Sequence, residues 1–183
     1  MSATFVVEDG SASSTATSYV SVADADTYIA NYVRSDTAWT GLADADKQDV
    51  LVEATQSVEL LYGGRFIGSK YTEAQALAFP RSGVVLDGFS ISTDIIPDNV
   101  QNAVIEMAWR HLADDGPDST SGDSTGIIPD LDNAGDVSAE SVSVGSVKTS
   151  TEYLGGKGNI KRYRKVDLLL RPLLKGKHRL ERA

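Results

Sequence analysis

A small, mainly α-helical bundle of about three main helices, with a β-hairpin and an extended C-terminal arm, is the fold this sequence predicts. Three observations lead to it. Apolar residues recur at helical spacing in three separate stretches, each with its own start and stop signals. Between residues 137 and 154 the pattern changes to alternation around Gly145-Ser146. After the glycine-rich run 155–158 the chain reverses its charge.

The elements follow in order. Residues 1–20 are rich in Ser, Thr and Ala and read as an N-terminal extension, with a short edge strand over residues 4–7. Ser21 is placed to cap a first helix, and Asp24 and Asp26 fall in its first turn, where the helix dipole favours anions. Ala25, Tyr28, Ile29 and Tyr32 share one face, and the helix should end near Arg34. The second helix spans residues 44–61, with Val50, Leu51, Ala54, Val58 and Leu61 as its apolar stripe. Gly63-Gly64 stops it through a left-handed cap. A helical turn over residues 72–77 and a loop or short strand with a turn at Asp87-Gly88 come next. Pro97 sits in the first turn of the third helix, where its missing N–H costs nothing. Val100, Ala103, Val104, Met107, Ala108 and His111 continue its stripe. The domain reading is therefore a bundle over 21–113, an acidic flexible loop over 114–136, a hairpin over 137–154 and a basic arm over 155–183.

Composition narrows the chemistry. There is no cysteine, which excludes disulfides, thiol catalysis and sulfur-based zinc sites and fits a reducing cytoplasm. Aromatic residues make up only 7%, so the core must be mostly aliphatic. No apolar run approaches the ~20 residues of a membrane helix, and the start of the chain does not read as a signal peptide. Residues 1–147 carry 6 Lys+Arg against 23 Asp+Glu, a net of −17, whereas residues 148–183 carry 11 against 3, a net of +8. Such a body repels phosphate, and such a tail seeks an acidic surface of protein or nucleic acid.

Catalytic and metal motifs are absent from the sequence. Residues 154–159 lack the glycine spacing and the hydroxyl of a phosphate loop. The segment starting at Asp130 has Asp132 and Gly135 in calcium-loop positions, but Ala134 and Ser141 stand where ligands are required. His111 and His178 lie in segments of opposite character, and no Gly-x-Ser-x-Gly elbow exists. Trp39 and Trp109 read as core or interface anchors. The expectation is a binding protein, not an enzyme, with no cofactor and no metal.

Four segments carry a family resemblance. They are Ser18 to Tyr28; Ala54-Thr55 with Leu60-Leu61-Tyr62-Gly63-Gly64-Arg65-Phe66; Gln75 to Gly83 with Asp87-Gly88, Ile96-Pro97, Ala103 and Glu106; and Val166 to Leu174. In that order they resemble a family of tailed-phage head–tail connector (adaptor) proteins, some of which carry the label DnaT-like single-stranded-DNA-binding protein. The resemblance implies a virion protein of the neck, assembled in the host cytoplasm. It implies a self-associated ring, commonly of twelve, below the portal protein, offering a platform to a tail or stopper (nozzle) protein. DNA would pass through an acidic lumen without specific binding.

Under that reading the arm docks on the portal. Its docking residues would be Arg162, Tyr163, Arg164, Lys165, Val166, Leu168, Leu169, Leu170, Arg171, Leu173 and Leu174, because this apolar set is too large to leave exposed. The alternative is that the segment packs as a C-terminal helix on its own domain. A rival function is a single-stranded-DNA-binding replication accessory protein, suggested by the basic tail with Tyr153 and Tyr163 interleaved. Against it stand the acidic body and the lack of an aromatic–basic groove in the sequence.

Overall fold

The computed structural model describes residues 4–33, 37–114, 137–142, 149–153 and 163–175. The fold is mainly α with small antiparallel hairpins. The helices are α1 (Val22–Tyr32), α2 (Thr37–Thr40), α3 (Asp44–Tyr62), α4 (Asp98–Asp114) and α5 (Arg164–Leu170). Helix α4 is the hub, packing against each of the other four. Its Val100, Ala103, Val104, Met107 and Ala108 are buried, as the periodicity requires.

The helix starts follow local chemistry. The Ser21 hydroxyl accepts the Asp24 N–H at 3.1 Å and caps α1. Ala25 and Ile29 face the core, whereas Tyr32 remains exposed. In α3, Leu51, Ala54 and Val58 are fully buried. Its end differs from the expected left-handed cap: Gly63 has φ −51°, and the helix tightens into a 3₁₀ turn, Gly63–Arg65. The short α2 was not expected, and it seats Trp39 in the core.

Residues 72–77 form no helix. Instead the Gln75 amide bonds the carbonyls of Leu77 (2.9 Å) and Pro80 (3.0 Å), while its oxygen accepts the Thr72 N–H at 2.8 Å. A buried side-chain amide thus takes over the groups a helix would have satisfied among themselves. Three two-stranded antiparallel pairs follow. They are β1 (Ser69–Lys70) with β2 (Arg81–Ser82), β3 (Val85–Leu86) with β4 (Phe89–Ser90), and β5 (Val137–Val142) with β6 (Thr149–Tyr153). The β3–β4 turn is made by Asp87 and Gly88, both at positive φ, the twist a two-residue hairpin needs. The expected hairpin in 137–154 is β5–β6; its turn, like the acidic loop, lies outside the described residues.

The N-terminal segment is not a free extension. Ala16, Tyr19 and Val20 are buried, and Val7 bridges Ser18 in place of the expected edge strand. Glu8, itself buried, accepts the backbone N–H groups of Gly10 (2.9 Å), Ala12 (2.9 Å) and Ser13 (2.8 Å). Gly10 has φ +100°, and a Cβ there would lie 1.8 Å from the Asp94 carbonyl oxygen, so only glycine fits.

The larger correction concerns the C-terminal arm. Val166, Leu170 and Leu173 are fully buried in the same core as α3 and α4. Leu169 and Leu174 pack against that core, and only Leu168 is largely exposed. Burial of each of the three core side chains contributes about 1.5–3 kcal/mol, which a flexible arm would forfeit. The segment does not leave the bundle; it completes it.

Candidate nucleic-acid interface

Helix α5 has two faces set by its spacing. Val166, Leu170 and Leu173 fall at i, i+4 and i+7 and turn inward. Arg164, Leu168, Arg171 and Lys175 fall at i, i+4, i+7 and i+11 and are exposed. The chain is anchored on both sides of the helix. The Asn99 amide donates to the Leu169 carbonyl at 2.9 Å, and the Tyr62 hydroxyl donates to Asp167. Beyond the 3₁₀ turn Arg171–Leu173, Leu174 bridges Phe66, with Ile67 N–H to Leu173 O at 2.9 Å and Lys175 N–H to Arg65 O at 2.7 Å. That pairing brings Arg65, from the exit of α3, beside Lys175. One edge of the molecule thus carries Arg164, Arg171, Lys175 and Arg65.

The other described cations are committed elsewhere. Lys47 is buried, bonded to Asp26 at 2.8 Å, and lies 5.5 Å from the Trp39 ring centroid. Desolvation opposes the ionised Asp26, but hydrogen bonds from Lys47 and Trp39 prevail and hold its carboxyl below the ordinary value. Arg81 is buried against four carbonyls, those of Phe66, Ile67, Gly68 and Ala78. Burial lowers its pKa. Lys70 bonds the Gln75 carbonyl at 3.3 Å. Among the described residues, Arg65, Arg164, Arg171 and Lys175 meet no carboxylate. The exposed edge is therefore where a polyanion finds unneutralised charge.

At the N-terminal end of α5 a second constellation forms around Glu106, which is only 1% exposed. Its carboxylate accepts Tyr28 Oη (2.9 Å) and Arg110 Nε (3.3 Å), and it pairs with Lys165. Three helices meet there: Tyr28 comes from α1, Glu106 and Arg110 from α4, and Lys165 from α5. Desolvation, together with the bond to Glu106, pushes the Tyr28 hydroxyl well above its ordinary pKa. Lys165 Nζ lies 5.8 Å from the Tyr28 ring centroid, and the rings of Tyr28 and Tyr32 are 4.9 Å apart at 42°. This is an aromatic–cationic cluster that the linear sequence hides. Its members are up to 137 positions apart.

A third network belongs to the fold. Tyr19 Oη donates to Glu59 and accepts the Phe79 N–H at 2.9 Å, while Glu59 also accepts the Ala78 N–H at 3.0 Å. Burial raises both the Glu59 carboxyl and the Tyr19 hydroxyl. Phe79 packs edge-on against Phe66 at 5.0 Å. The Phe79-Pro80-Arg81 motif thus closes the core and presents no reactive group.

The residues expected to dock divide sharply. Val166, Leu170 and Leu173 are core; Leu169, Leu174 and Tyr163 are half-buried; Lys165 is paired with Glu106. Arg164, Leu168 and Arg171 face solvent. Arg162, the Asp130 segment and His178 lie outside the described residues. Sequence reasoning missed Arg65, Tyr28, Tyr32 and Glu106. The i, i+4, i+7, i+11 spacing of the exposed set on α5 was the one signal that could have separated the two faces beforehand. Among the described residues no cluster of three metal-ligating side chains exists, and no helix is long and apolar enough to cross a membrane.

A family model described as "Putative DnaT-like ssDNA binding protein" matches residues 3–183. No curated protein and no solved structure matches. The chain belongs to that DnaT-like family.

Proposed function

We propose that this member of the DnaT-like family is a binding protein, not an enzyme, that contacts single-stranded nucleic acid along the exposed edge of α5. The observation that carries the reading is the concentration of cations without a carboxylate partner among the described residues, Arg65, Arg164, Arg171 and Lys175, on one side of an otherwise acidic body. The helical part of that edge, the ten residues from Arg164 to Leu173, is about 15 Å long at ~1.5 Å per residue, enough for a few phosphates. The acidic remainder repels phosphate and confines a strand to the ridge. The family description agrees in ligand class.

Four phosphate contacts would make log K fall with log salt at a slope of about −3, at ~0.7 per single-strand contact. Anisotropy of a labelled oligothymidylate measured from 50 to 300 mM NaCl tests this. The triple variant Arg164→Glu, Arg171→Glu, Lys175→Glu should lose at least tenfold in affinity at the low-salt end. Equal binding by the variant and the natural protein would remove the ridge from the site.

A second reading, a head-to-tail adaptor subunit, is favoured by the net of −17 over residues 1–147 and by exposed Leu60, Phe89 and Leu168. The four resembling segments also support it. In that reading the chain is a virion component forming a ring below the portal, a tail or stopper protein binds its far side, and DNA passes without holding. Only the outer face of α5 is then available to the portal. A subunit of this kind should show no oligonucleotide affinity at physiological salt and should form rings when mixed with a portal, seen by negative-stain microscopy.

A further inference from the structure

We infer that Tyr32, backed by Tyr28, is a stacking platform for one unpaired nucleobase; this rests on the single-strand-binding reading. Tyr32 is the last residue of α1 and is 69% exposed, although its ring lies against another aromatic ring. Residues four apart on a helix meet, and such a pair supports the helix without requiring either ring to face solvent. Here the two rings are treated very differently. Tyr28 is pinned by its hydroxyl bond to Glu106 and by Lys165 near its ring, so the support under Tyr32 is fixed.

An exposed ring on a fixed support loses little rotational freedom when a flat partner lands on it, which lowers the cost of binding. Any base offers a π-face, so the contact is tolerant of sequence. It requires the base to be unpaired, because in a duplex both faces are already covered by neighbours. Lys165, whose charge Glu106 balances, ties the platform to the start of α5, and its neighbour Arg164 opens the phosphate ridge on the exposed face. The platform therefore adds a preference for single strands to a ridge whose charge alone would hold any polyanion.

The test compares the natural protein with Tyr32→Ala and Tyr32→Phe. The probes are a labelled 20-nucleotide single strand and a duplex of equal length, both at 50 mM NaCl. A single strand containing 2-aminopurine reports stacking. Tyr32→Ala should weaken single-strand binding about tenfold, within the ~1–3 kcal/mol range for one stacked base. Duplex binding should change less than twofold, Tyr32→Phe should restore affinity, and the 2-aminopurine quenching should vanish only in the alanine variant. Circular dichroism melting controls for folding. Equal single-strand affinity in Tyr32→Ala, or equal losses on single strand and duplex, overturns the platform and leaves the ridge standing. Loss of both ligands in the ridge triple variant, with quenching present in the natural protein, supports both ideas. Absence of any binding by the natural protein overturns both.

Discussion

The two faces of the C-terminal helix carry opposite chemistry on the same seven residues of α5 and the short turn after it. The inner face, Val166, Leu170 and Leu173, is as buried as any part of α4. The outer face, Arg164, Leu168, Arg171 and Lys175, meets solvent and finds no carboxylate among the described residues. A segment that reads as a basic docking arm is thus at once a core element and a charged surface. The difference teaches that a net charge of +8 over a tail says that its surface is basic, and nothing about whether the tail is attached.

Cutting the chain after residue 158 breaks the comparison most severely. It removes all three inner side chains and the backbone bonds to Arg65 and Ile67, so the remaining body should unfold or aggregate, visible as loss of a cooperative urea transition. Leu170→Ala isolates one inner position; as a fully buried leucine it should cost about 2–5 kcal/mol, read from the shift in urea midpoint. Glu106→Ala probes the seam between the faces. It leaves Tyr28 without its acceptor and two cations without their counter-charge, at a cost of about 1–3 kcal/mol in the same assay.

Asp26→Asn, away from α5, serves as a reference for a half-exposed pair. Its carboxyl is held below 3.8, so its contribution is present above that ordinary value and is lost as pH falls through the lowered one. Because the side chain is 45% exposed, solvent screening limits the effect to about 0–1 kcal/mol at pH 7. In acid, below the folded-state value, variant and natural protein should converge in melting temperature. The smallest effect belongs to the outer face. Arg164→Glu with Arg171→Glu should change stability by no more than about 0.5 kcal/mol while strongly weakening oligonucleotide binding. A large destabilisation there would mean that the two faces are not independent.

Local signals explain why much of the bundle was legible. Ser21 announced α1, Pro97 announced α4, and the stripes of α3 and α4 named the centres of their buried faces, although Val50 and Leu61 of the α3 stripe are only half-buried and Val52 and Tyr62, outside it, are buried. Asp87-Gly88 named its turn, and the structure adds the strands on either side. The misreadings share a cause. Residues 72–77 and the N-terminal segment are polar and irregular, so nothing local shows that Gln75, Glu8 and Tyr19 become buried organisers of backbone groups. Gly63 is a left-handed cap by statistics, yet here the chain must tighten to bring Arg65 and Phe66 to the partner segment.

The sequence by itself determined α1, α3 and α4, the hairpin over 137–154 and the separation of charge between body and tail, because each depends on residues close to one another along the chain. Tertiary structure alone decided that the C-terminal segment closes the core. It also decided that Arg65 stands beside Lys175, and that Tyr28, Glu106, Arg110 and Lys165 meet. Apart from Arg110 with Glu106, those contacts join residues 59 to 137 positions apart. Burial is won or lost against a surface that exists only after α3 and α4 have packed, and periodicity shows that a face is apolar without showing what will cover it.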